Sequence, residues 1–371
     1  MSQPEAAAMS ERDQKTLRVL DTGLRPAAEN MAFNRALLEC HQEGVSPHTL
    51  RFLQFEPCAL VGFHQNVDQE INTEYCKEHG IAIQRRITGG GAIYFDSTQL
   101  GWELYLDKRF LGTADMGQIA ARICNAAAAG IRTLGVDAQF RPRNDIEVEG
   151  RKISGTGGAF DGDSIMYQGT LLIEFDVEDM LRILRIPAEK LSNKAIESAR
   201  DRVVNLATLL GERPNLDHVK DAIAEAFAEE FAVELAPSDL LPEEQKSFEQ
   251  ALAEIDTEEW VYQRNRPATD APMFESIFKS DGGLMRVGVA LDPERKRLKQ
   301  LWLTGDIFVK PARTIADLEA ALRDTPQAEM EERVRAFFAE RDVEMLQLTV
   351  DDVIAAIQSA LAMAETEESA G

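Results

Sequence analysis

The sequence has no long apolar run. No stretch of its 371 residues approaches the roughly 18 apolar residues that a membrane-spanning helix requires, so we expect no membrane span. The first residues, Met-Ser-Gln-Pro-Glu-Ala-Ala-Ala, contain neither the basic part nor the apolar part of a secretory signal. From these two absences we predict a cytoplasmic protein.

Positive charge is scarce. The chain has 40 Lys and Arg residues against 64 Asp and Glu residues, which gives a formal net charge of −24 with His neutral. A surface of this charge repels nucleic-acid backbones and anionic lipids, so the composition argues against broad binding to nucleic acid or to a membrane surface. Binding of one anionic ligand at a local basic patch stays compatible with this composition.

Cysteine and histidine are also few. Cys40, Cys58, Cys76 and Cys124 form no C-x-x-C pair and no zinc-binding spacing, so we predict reduced and mostly buried thiols. The five histidines are scattered, and none lies between residues 80 and 217. Because the H-E-x-x-H motif is absent as well, the sequence argues against a zinc hydrolase.

Regular apolar patterns predict a folded chain, and its length suggests two domains. Residues 101–106 alternate between apolar and other side chains as a strand does, whereas apolar residues recur at helical spacing between Thr113 and Gly135. Two further strand-like runs, 284–291 and 298–303, predict a hairpin around Asp292-Pro-Glu-Arg.

We therefore predict an α+β fold in which helices flank a mixed or antiparallel sheet, followed by a smaller α+β domain. The predicted limits are a flexible tail at 1–16, the larger domain at 17–250, a linker at 251–270 and the C-terminal domain at 271–365.

The first informative segment is Arg85-Arg-Ile-Thr-Gly-Gly-Gly-Ala-Ile-Tyr-Phe-Asp96. Three consecutive glycines destabilise the end of a strand, because they pack no side chain and cost backbone entropy. One reason to find them there is close approach of a ligand, whose phosphate or carboxylate oxygens bond the main-chain N–H groups. Arg85 and Arg86 supply charge suited to the same oxygens. The alternative is a hairpin turn with solvated arginines.

The second informative segment covers residues 143–158. Glu149-Gly150 lies between two strand-like runs and predicts a hairpin turn, with Asn144 and Asp145 on the incoming strand and Lys152 on the outgoing one. An aspartate binds Mg²⁺ while substrate phosphate supplies further oxygens, and a lysine neutralises phosphoryl or acyl-phosphate oxygens. The alternative is an ordinary Asn-Asp turn and a solvated lysine.

Together these segments resemble the lipoate–protein ligase family, which has the biotin/lipoate ligase fold. The resemblance covers residues 20–210, and Trp260 and Gly305-Asp306 are similar to the accessory domain of fused ligases. It implies a catalytic domain at 17–250 and an accessory domain at 271–365. The matching stretches, in chain order, are Gly62-Phe-His-Gln-Asn66, 85–96, Asn144-Asp-Ile-Glu-Val-Glu-Gly-Arg-Lys-Ile-Ser-Gly155, Gln168-Gly-Thr-Leu-Leu172 and Ser198-Ala-Arg-Asp-Arg-Val-Val-Asn-Leu206.

Several positions depart from the family pattern. Thr88 stands where Ser is common, and Phe95 precedes Asp96 where His is frequent. Tyr167-Gln168 replaces a His pair, and Thr156-Gly157-Gly158 replaces a small residue followed by Ala-Gln. These departures concern the acyl pocket and the protein acceptor rather than the adenylation machinery. The glycine-rich version resembles fused ligases that serve lipoate-binding proteins of sulfur oxidation.

The resemblance implies an ATP-dependent enzyme with two steps. The carboxylate of lipoate attacks the α-phosphorus of Mg·ATP, giving lipoyl-adenylate and pyrophosphate. The ε-amine of one lysine in an apo lipoyl domain then attacks the mixed anhydride and releases AMP. The implied acceptor is a glycine-cleavage H-like protein, a 2-oxoacid dehydrogenase acyltransferase or a sulfur-oxidation lipoate-binding protein; neither nucleic acid nor a membrane is a partner.

The same resemblance implies roles for particular residues. Lys152 is the catalytic residue and bridges the carboxyl and α-phosphate oxygens, while Asp145 is the ligand of Mg²⁺. The accessory domain is implied to close over the adenylate after the first step. The residues implied to bind ATP or lipoyl-adenylate are Arg86, Gly89, Gly90, Gly91, Ala92, Ile93, Tyr94, Asn144 and Lys152.

Other functions stay open. A lipoyl or octanoyl transferase of this fold uses an acyl-thioester and a cysteine nucleophile near Lys152. No cysteine follows Cys124, although Cys76 and Cys124 stay candidates through space. Biotin ligase shares the adenylate chemistry, but its arginine–glycine loop is not matched by residues 85–91. A non-catalytic regulator that binds lipoyl domains is the last alternative, and the presence of Asp145 and Lys152 argues against it.

Two basic stretches are candidate docking sites for the acceptor, namely Arg295–Lys299 and Lys194–Arg202. Lipoyl domains are often acidic and this chain is itself strongly negative, so binding requires a locally positive surface. Solvated surface is the alternative for each stretch.

Overall fold

The computed structural model describes residues 15–142, 144–185, 200–266, 271–292 and 295–368. Some predicted features lie wholly or partly outside these residues. They are the tail as far as residue 14, the last part of the predicted linker (267–270), residues 194–199 of the second candidate docking stretch, the start of the Ser198 motif, and the turn residues Pro293 and Glu294.

The described chain forms two compact units, each assembled from separate stretches of sequence. The first unit contains the chain as far as Ala59, Glu74–Gln84 and Tyr94–Thr257. The second unit contains Leu60–Thr73, Arg85–Ile93 and the chain from Glu258 onward. The domain limits predicted from the sequence stay a prediction.

The strands are named in chain order. Ala82–Arg85, Cys58–Val61 and Ile93–Phe95 form a short sheet in that order, and Val309–Lys310 pairs with Glu344–Met345. The strands are β1 (Thr16–Arg25), β2 (Thr49–Phe55), β3 (Cys58–Val61), β4 (Ala82–Arg85), β5 (Ile93–Phe95), β6 (Gln99–Asp107), β7 (Gln139–Arg141), β8 (Asp145–Val148), β9 (Arg151–Asp161), β10 (Ser164–Leu172), β11 (Glu234–Pro237), β12 (Met273–Ser280), β13 (Gly283–Asp292), β14 (Arg297–Gly305), β15 (Val309–Lys310), β16 (Thr325–Pro326) and β17 (Glu344–Met345).

The helices are numbered in the same way. Within the described part of the chain, no helix combines the length and the apolar character needed to cross a bilayer. The helices are α1 (Ala27–Gln42), α2 (Val67–Glu70), α3 (Thr73–Glu78), α4 (Lys108–Leu111), α5 (Met116–Thr133), α6 (Val177–Ile183), α7 (Leu206–Leu210), α8 (Leu216–Phe231), α9 (Pro242–Ile255), α10 (Glu258–Val261), α11 (Thr314–Ala321), α12 (Met330–Ala339) and α13 (Val350–Glu368), with a 3₁₀ turn at Gln327–Glu329.

The first unit is built on an eight-stranded sheet of order β11-β1-β2-β6-β10-β9-β8-β7. From β2 to β7 the neighbours are antiparallel, whereas β1 pairs in parallel with both β2 and β11. The sheet is therefore mixed and flanked by helices, which confirms the predicted fold class. Trp102 and Leu104 of β6 lie on one face, in a large apolar core, and Glu103 and Tyr105 are buried on the opposite face.

Helices α5 and α8 pack together over this core. The apolar side chains of α5, such as Ile119 and Ile123, lie on its buried side. The Asp115 carboxylate caps the helix by accepting the Gln118 N–H, and Gly135 follows its end with a φ of 91°. The helix predicted for this stretch is confirmed.

The second unit has its own core. The antiparallel sheet β12-β13-β14-β16 and helices α11, α12 and α13 supply its apolar side chains. β13 and β14 pair from Met285 with Gly305 as far as Asp292 with Arg297, which confirms the hairpin predicted there.

Candidate active site

Strands β8 and β9 form the hairpin that the sequence predicts. Its turn is Glu149-Gly150, with left-handed φ angles of 53° and 75° at both residues. A two-residue turn of this hand matches the twist of the strands it joins. The hairpin brings two predicted site residues together, since Nζ of Lys152 lies 2.7 Å from Oδ1 of Asp145.

An extra residue in β9 decides on which face Lys152 lies. Ser154 pairs with Ile146, whereas Lys152 pairs with Glu147, so one residue of β9 has no partner in β8. Such an extra residue is a β-bulge, and it re-aims the side chains beyond it. In a regular ladder Lys152 would pair with Val148 on the buried face. The bulge instead places it on the more accessible face.

The ammonium of Lys152 lies directly over Gly155. A Cβ atom at that glycine would be 2.7 Å from Nζ and 2.9 Å from Cε. Lys152 keeps 42% of its side-chain surface exposed and Asp145 keeps 25%. The pair is therefore both ordered by the strand and accessible to a charged ligand.

The main chain of Lys152 is held by the stretch that follows residue 200. Its N–H donates to the Arg202 carbonyl at 2.8 Å, and its carbonyl accepts the Val204 N–H at 2.9 Å. Lys152 and Val203 form a parallel bridge. The motif match at 198–206 marks this stretch in the sequence, but spacing alone assigns it no role, because the contact joins residues about 50 apart in the chain.

Asn144 is bonded to β9 rather than to Lys152. Its carbonyl accepts the N–H and the hydroxyl of Thr156 at 2.8 Å and 3.0 Å, and its side-chain amide donates to the Thr156 carbonyl at 3.1 Å. The Thr156 hydroxyl also bonds the buried hydroxyl of Tyr167 at 3.0 Å. Asn144 therefore fixes the start of β8, and its predicted contact with phosphate stays a prediction.

Asp145 offers a single carboxylate to a metal. Among the described residues, no group of three or more His, Cys, Asp or Glu side chains is arranged to hold a metal ion. Mg²⁺ typically takes one or two protein carboxylates and completes its shell with water and substrate phosphate. The donor set at Asp145 fits a metal bound in this way.

Arg85 and Arg86 are buried in the second unit, so the alternative of solvated arginines is wrong. The Arg86 guanidinium donates to the carbonyls of Leu60, Gly89 and Gly91 at 3.1, 3.1 and 2.7 Å. Burial lowers the pKa of Arg86 to about 10. Arg86 therefore stays charged at neutral pH and holds the loop of residues 89–91, called the glycine loop below.

Arg85 links two distant stretches of the second unit. It donates to the carbonyls of Gly62, Phe63 and Gln65 at 2.9, 2.9 and 2.6 Å. It also donates to the carbonyls of residues 260 and 261 at 2.7–3.2 Å. Burial first, and then the charges of its arginine neighbours at 264 and 86, lower the pKa of Arg85 to about 9. Its role is to hold the main chain together.

The glycine loop packs closely on other main chain of the second unit. A Cβ at Gly89 would be 2.2 Å from the Ile307 carbonyl oxygen, and one at Gly90, whose φ is 92°, would be 2.9 Å from Cζ of Phe308. Within the described chain, none of the N–H groups of residues 89–91 donates to a partner. These groups are the donors that the sequence predicts for a nucleotide.

The residues after the glycine loop are partly buried. Ala92 and Ile93 are half-buried, and Tyr94 is buried with its ring 6.3 Å from that of Phe175. Burial, followed by the nearby charge of Asp96, raises the pKa of Tyr94. Tyr94 belongs to the first unit. Its predicted contact with the nucleotide, like those of Ala92 and Ile93, stays a prediction.

All four cysteines are buried and unpaired in disulfides, as predicted. Burial raises the pKa of Cys40 and Cys124, raises that of Cys76 to about 11, and raises that of Cys58 well above its usual value. The thiol of Cys124 contacts the hydroxyl groups of Thr156 and Tyr167 at 3.3 Å and 3.4 Å.

Comparison with known families shows the class of protein to which this fold belongs. The family model of the lipoyl protein ligase A/B catalytic domain matches residues 26–228, more than half of the chain. The chain therefore belongs to the family of lipoate–protein ligases and octanoyltransferases, which confirms the resemblance found in the sequence.

Relatives of both activities match. Octanoyltransferase LipM of Kyrpidia tusciae is 28% identical over 274 residues, which are 67% of this chain and 100% of LipM. Lipoate–protein ligase 1 of Staphylococcus aureus is 29% identical over 267 residues, which are 72% of this chain and 77% of that protein. The relatives of this chain thus include lipoate–protein ligases and octanoyltransferases.

Solved structures agree with the fold. The bi-partite lipoate protein ligase of Thermoplasma acidophilum, studied with its E2 lipoyl domain, has a TM-score of 0.61 at 25% identity and covers 69% of this chain and 98% of its own. Lipoate-bound LipL1 of P. falciparum has a TM-score of 0.72 at 18% identity and covers 92% of this chain and 99% of its own. The second likeness, which is one of fold alone, includes most of the C-terminal part.

Proposed function

We propose that this protein is a lipoate–protein ligase, which activates lipoate with Mg·ATP and transfers the lipoyl group to a lysine of an apo lipoyl domain. One observation supports this choice over octanoyl transfer: every cysteine is buried, and burial raises the pKa of each thiol. A transferase that forms an acyl-thioester requires an accessible thiolate. Adenylation requires none, because the activated acyl group stays non-covalently bound.

Octanoyl transfer is the second candidate, because LipM matches over its full length. The two thiols left open by the sequence are poor nucleophiles in this structure. A pKa of about 11 leaves Cys76 with about one thiolate in ten thousand at pH 7. The thiol of Cys124 is fully buried, and burial raises its pKa although it bonds Thr156 and Tyr167. The ligase therefore has the better support.

In the proposed mechanism, Lys152 acts first. Its ammonium, held over Gly155, leaves Asp145 to bridge the lipoate carboxylate and the α-phosphate, so that the two negative groups approach each other. In the attack on the α-phosphorus it stabilises the added charge on the phosphoryl oxygens. A single such positioned donor contributes about 10²–10³-fold to a rate. The same contact then orients the mixed anhydride for the acceptor lysine, whose attack on the acyl carbon releases AMP.

Asp145 would hold Mg²⁺ once Lys152 has turned to the substrate. Bound there, the metal would neutralise negative charge on the triphosphate, while substrate oxygens and water complete its ligands. The exchange of partners keeps the Asp145 carboxylate paired at each stage, which matters because an unpaired, partly buried charge is costly.

The glycine loop and Arg86 are proposed to bind the nucleotide or the lipoyl-adenylate. The N–H groups of residues 89–91 are suited to phosphate or carboxylate oxygens. Arg86 holds the loop by donating to the carbonyls of Gly89 and Gly91, and the N–H groups of residues 89–91 have no partner in the described chain, so they are left for the ligand. Ala92, Ile93, Tyr94 and Asn144 are proposed to complete the contacts.

The proposed partner is an apo lipoyl domain of one of the three predicted kinds, in the cytoplasm. The candidate docking stretch Arg295–Lys299 has compensated charge, because Arg297 lies 3.2 Å from Asp324 and Lys299 lies 3.5 Å from both Asp292 and Asp324. Paired surface charges of this kind attract an acidic partner weakly. Docking through that stretch is therefore the less favoured part of the proposal.

The proposed function is tested with the purified protein, lipoate, Mg·ATP and an apo lipoyl domain. Release of pyrophosphate together with a gain in acceptor mass equal to one lipoyl group supports the ligase. In a parallel reaction, octanoyl-acyl carrier protein replaces lipoate and ATP. Acylation in that reaction alone would refute the ligase and establish the transferase.

The role of Lys152 is tested with Lys152→Ala. We expect pyrophosphate release to fall at least about 10²-fold, with unchanged folding because the side chain is partly exposed. The matched control is Lys108→Ala in the same unit, whose ammonium lies 3.9 Å from Asp163 and has no proposed contact with substrate. Normal pyrophosphate release by Lys152→Ala would contradict the assignment.

A further inference from the structure

We infer that Asn205 is a positioning residue for Lys152. It anchors the stretch Arg202–Val204, which holds the main chain of Lys152 in the bulge of β9. The inference rests on the proposed role of Lys152 and assigns a part of the machinery that contacts no substrate.

The bulge requires a partner outside the β8–β9 hairpin. Because Ile153 is the extra residue, the ladder of β8 is interrupted beside Lys152. Ile153 and Ser154 are both fully buried, so two successive side chains of β9 lie on the core side. Main-chain groups that an irregular stretch leaves unpaired in its ladder need hydrogen-bond partners elsewhere.

The stretch at 202–204 supplies those partners. It bonds both main-chain polar groups of Lys152, the N–H through the Arg202 carbonyl and the carbonyl through the Val204 N–H. Val204 is itself buried in the core of the first unit. Two hydrogen bonds on one residue fix its backbone direction, and thereby the direction in which its side chain leaves the strand.

Asn205 ties this stretch to the same sheet. Its side-chain oxygen accepts the Phe175 N–H at 3.0 Å, and its side-chain nitrogen donates to the Phe175 carbonyl at 2.9 Å. The next turn adds a bond from the Ala207 N–H to the Ile173 carbonyl at 3.1 Å. Residues 173 and 175 directly follow β10, the strand that pairs with β9 and lies beside Gly155. The stretch Arg202–Val204 and Gly155 are therefore both attached to β10 or to the residues that follow it.

Within the described structure, the side chain of Asn205 makes no hydrogen bond other than the two to Phe175. It precedes helix α7 at the usual capping position, yet it makes no capping hydrogen bond there. A reciprocal pair of bonds to one residue's main chain suits an amide, since it requires one donor and one acceptor at a fixed separation. Aspartate lacks the donor, and serine carries its donor and its acceptor on one oxygen rather than on two separate atoms.

The test uses Asn205→Ala in the full-length protein. We expect the kcat of pyrophosphate release to fall about tenfold while KM for lipoate and for ATP changes less than about twofold, because a displaced ammonium weakens the transition state more than substrate binding. Asn205→Asp, which keeps the acceptor for the Phe175 N–H but sets a carboxylate oxygen against the Phe175 carbonyl, should lose at least as much. It also serves as the second variant if Asn205→Ala does not fold.

The matched control is Asn215→Ala, which removes a side chain that caps α8 by accepting the Asp217 and His218 N–H groups. This variant should lower thermal stability without changing kcat. If Asn215→Ala lowered both thermal stability and kcat as much as Asn205→Ala does, loss of stability alone would explain the lower kcat. Asn205 would then have only a structural role.

A double-variant cycle tests whether Asn205 acts through Lys152. The probe is a non-hydrolysable sulfamoyl analogue of lipoyl-adenylate, and its affinity is measured by calorimetry. Asn205→Ala should weaken binding in the wild-type background and have no further effect beside Lys152→Ala. Independent losses in the two backgrounds, or wild-type kcat in both Asn205 variants, would overturn the inference. Absence of pyrophosphate release by the wild type would instead refute the proposed function itself.

Discussion

At the scale of the residue, the ammonium of Lys152 owes its place to a missing side chain. Gly155 leaves a gap over β9 that the lysine fills, and a Cβ there would be 2.7 Å from Nζ. Gly157 lies two residues further along the same strand, and a Cβ there would meet nothing within 4 Å. A methyl group would therefore clash with Lys152 at Gly155 but would be tolerated at Gly157.

This difference gives a paired prediction. Gly155→Ala should fold normally, because the clash is with the mobile end of a side chain, but it should lower the kcat of pyrophosphate release by about tenfold or more by displacing the ammonium. Gly157→Ala is the control and should keep kcat within about threefold of the wild type. Equal activity of the two variants, measured under saturating lipoate and ATP, would contradict the proposed place of Nζ.

The thiols give a second prediction at this scale. A Cys76→Ser, Cys124→Ser double variant should still ligate lipoate, with kcat within about threefold of the wild type, because neither buried thiol is assigned a chemical step. Serine retains a group that bonds Thr156 and Tyr167. Acceptor mass is the readout, with Cys40→Ser as the matched substitution. Complete loss of acylation in the folded double variant would restore the transferase.

The residues also show what sequence could and could not predict. Asp145 and Lys152 were within reach of prediction, since a turn of two residues determines which strands meet. The bulge was not, because it depends on main-chain bonds to residues 202–204. The arginines at 85 and 86 read as ligand-binding charges or as solvated ones. Only packing shows that their guanidinium groups bond main-chain carbonyls.

At the scale of the element, only one of the two turn residues of the β8–β9 hairpin favours the conformation that the turn requires. Gly150 accepts a left-handed φ at no cost, but Glu149 adopts a φ of 53° with a full side chain. Residues other than glycine, asparagine and aspartate pay about 1 kcal/mol or more in this region. The bond between Arg151 and Glu149, at 3.2 Å and on the surface, offsets little of that.

Glu149→Asn should therefore stabilise the protein, by up to about 1 kcal/mol, since Asn-Gly is the favoured pair for this turn. Glu149→Ala is the control, because it removes the same ion pair and keeps an unfavourable left-handed residue. Urea unfolding followed by circular dichroism measures both. A gain in stability with alanine as large as with asparagine would show that the backbone of the turn is not the cause.

For the glycine loop, the sequence predicts a ligand-binding role and the structure adds a packing role. Its motif predicts main-chain donors for an anion, and the described structure leaves those N–H groups without a partner in the chain. The packing of Gly89 and Gly90 on Ile307 and Phe308 was not predictable, because the contacting residues are more than 200 positions apart. Glycine is thus required there for packing as well as for the proposed binding.

At the scale of the whole molecule, the second compact unit contains a histidine that makes it sensitive to acid. His64 is buried in the second unit, and burial first, then the charge of Arg264, lowers its pKa to about 3. Its unfolded pKa is near 6.5, so below that pH the unfolded chain takes up a proton that the folded unit refuses. Folding stability of the second unit should therefore fall as the pH falls from about 6.5 towards 3.

The slope should approach about 1.4 kcal/mol per pH unit well below pH 6.5. Hydrogen exchange of β13 and β14, read by mass spectrometry between pH 7 and pH 5 and corrected for intrinsic rates, measures it in the second unit alone. His64→Gln should flatten this dependence, whereas His218→Gln, at an exposed position of the first unit, should not. An unchanged slope in His64→Gln would assign the acid sensitivity to another group.

The assignment of sequence stretches to the two compact units could not be predicted from the order of the motifs in the chain. The motifs at 62–66 and 85–91 both belong to the compact unit that contains the chain from Glu258 onward. Local patterns report which elements form, whereas this grouping depends on contacts between residues far apart in sequence, which a single sequence does not display.

The hydrogen bonds of Arg85 predict what happens when the protein is truncated after Thr257. A reading frame that stopped after Thr257 would still encode all of residues 26–228, but its product would lack the carbonyls of residues 260 and 261 that receive this guanidinium. The arginine would then lose two of the carbonyl acceptors that hold it, and hydrogen bonds to a charged group contribute about 1.5–3 kcal/mol each. We expect such a product to be recovered in folded form only when the missing segment is co-expressed as a separate polypeptide.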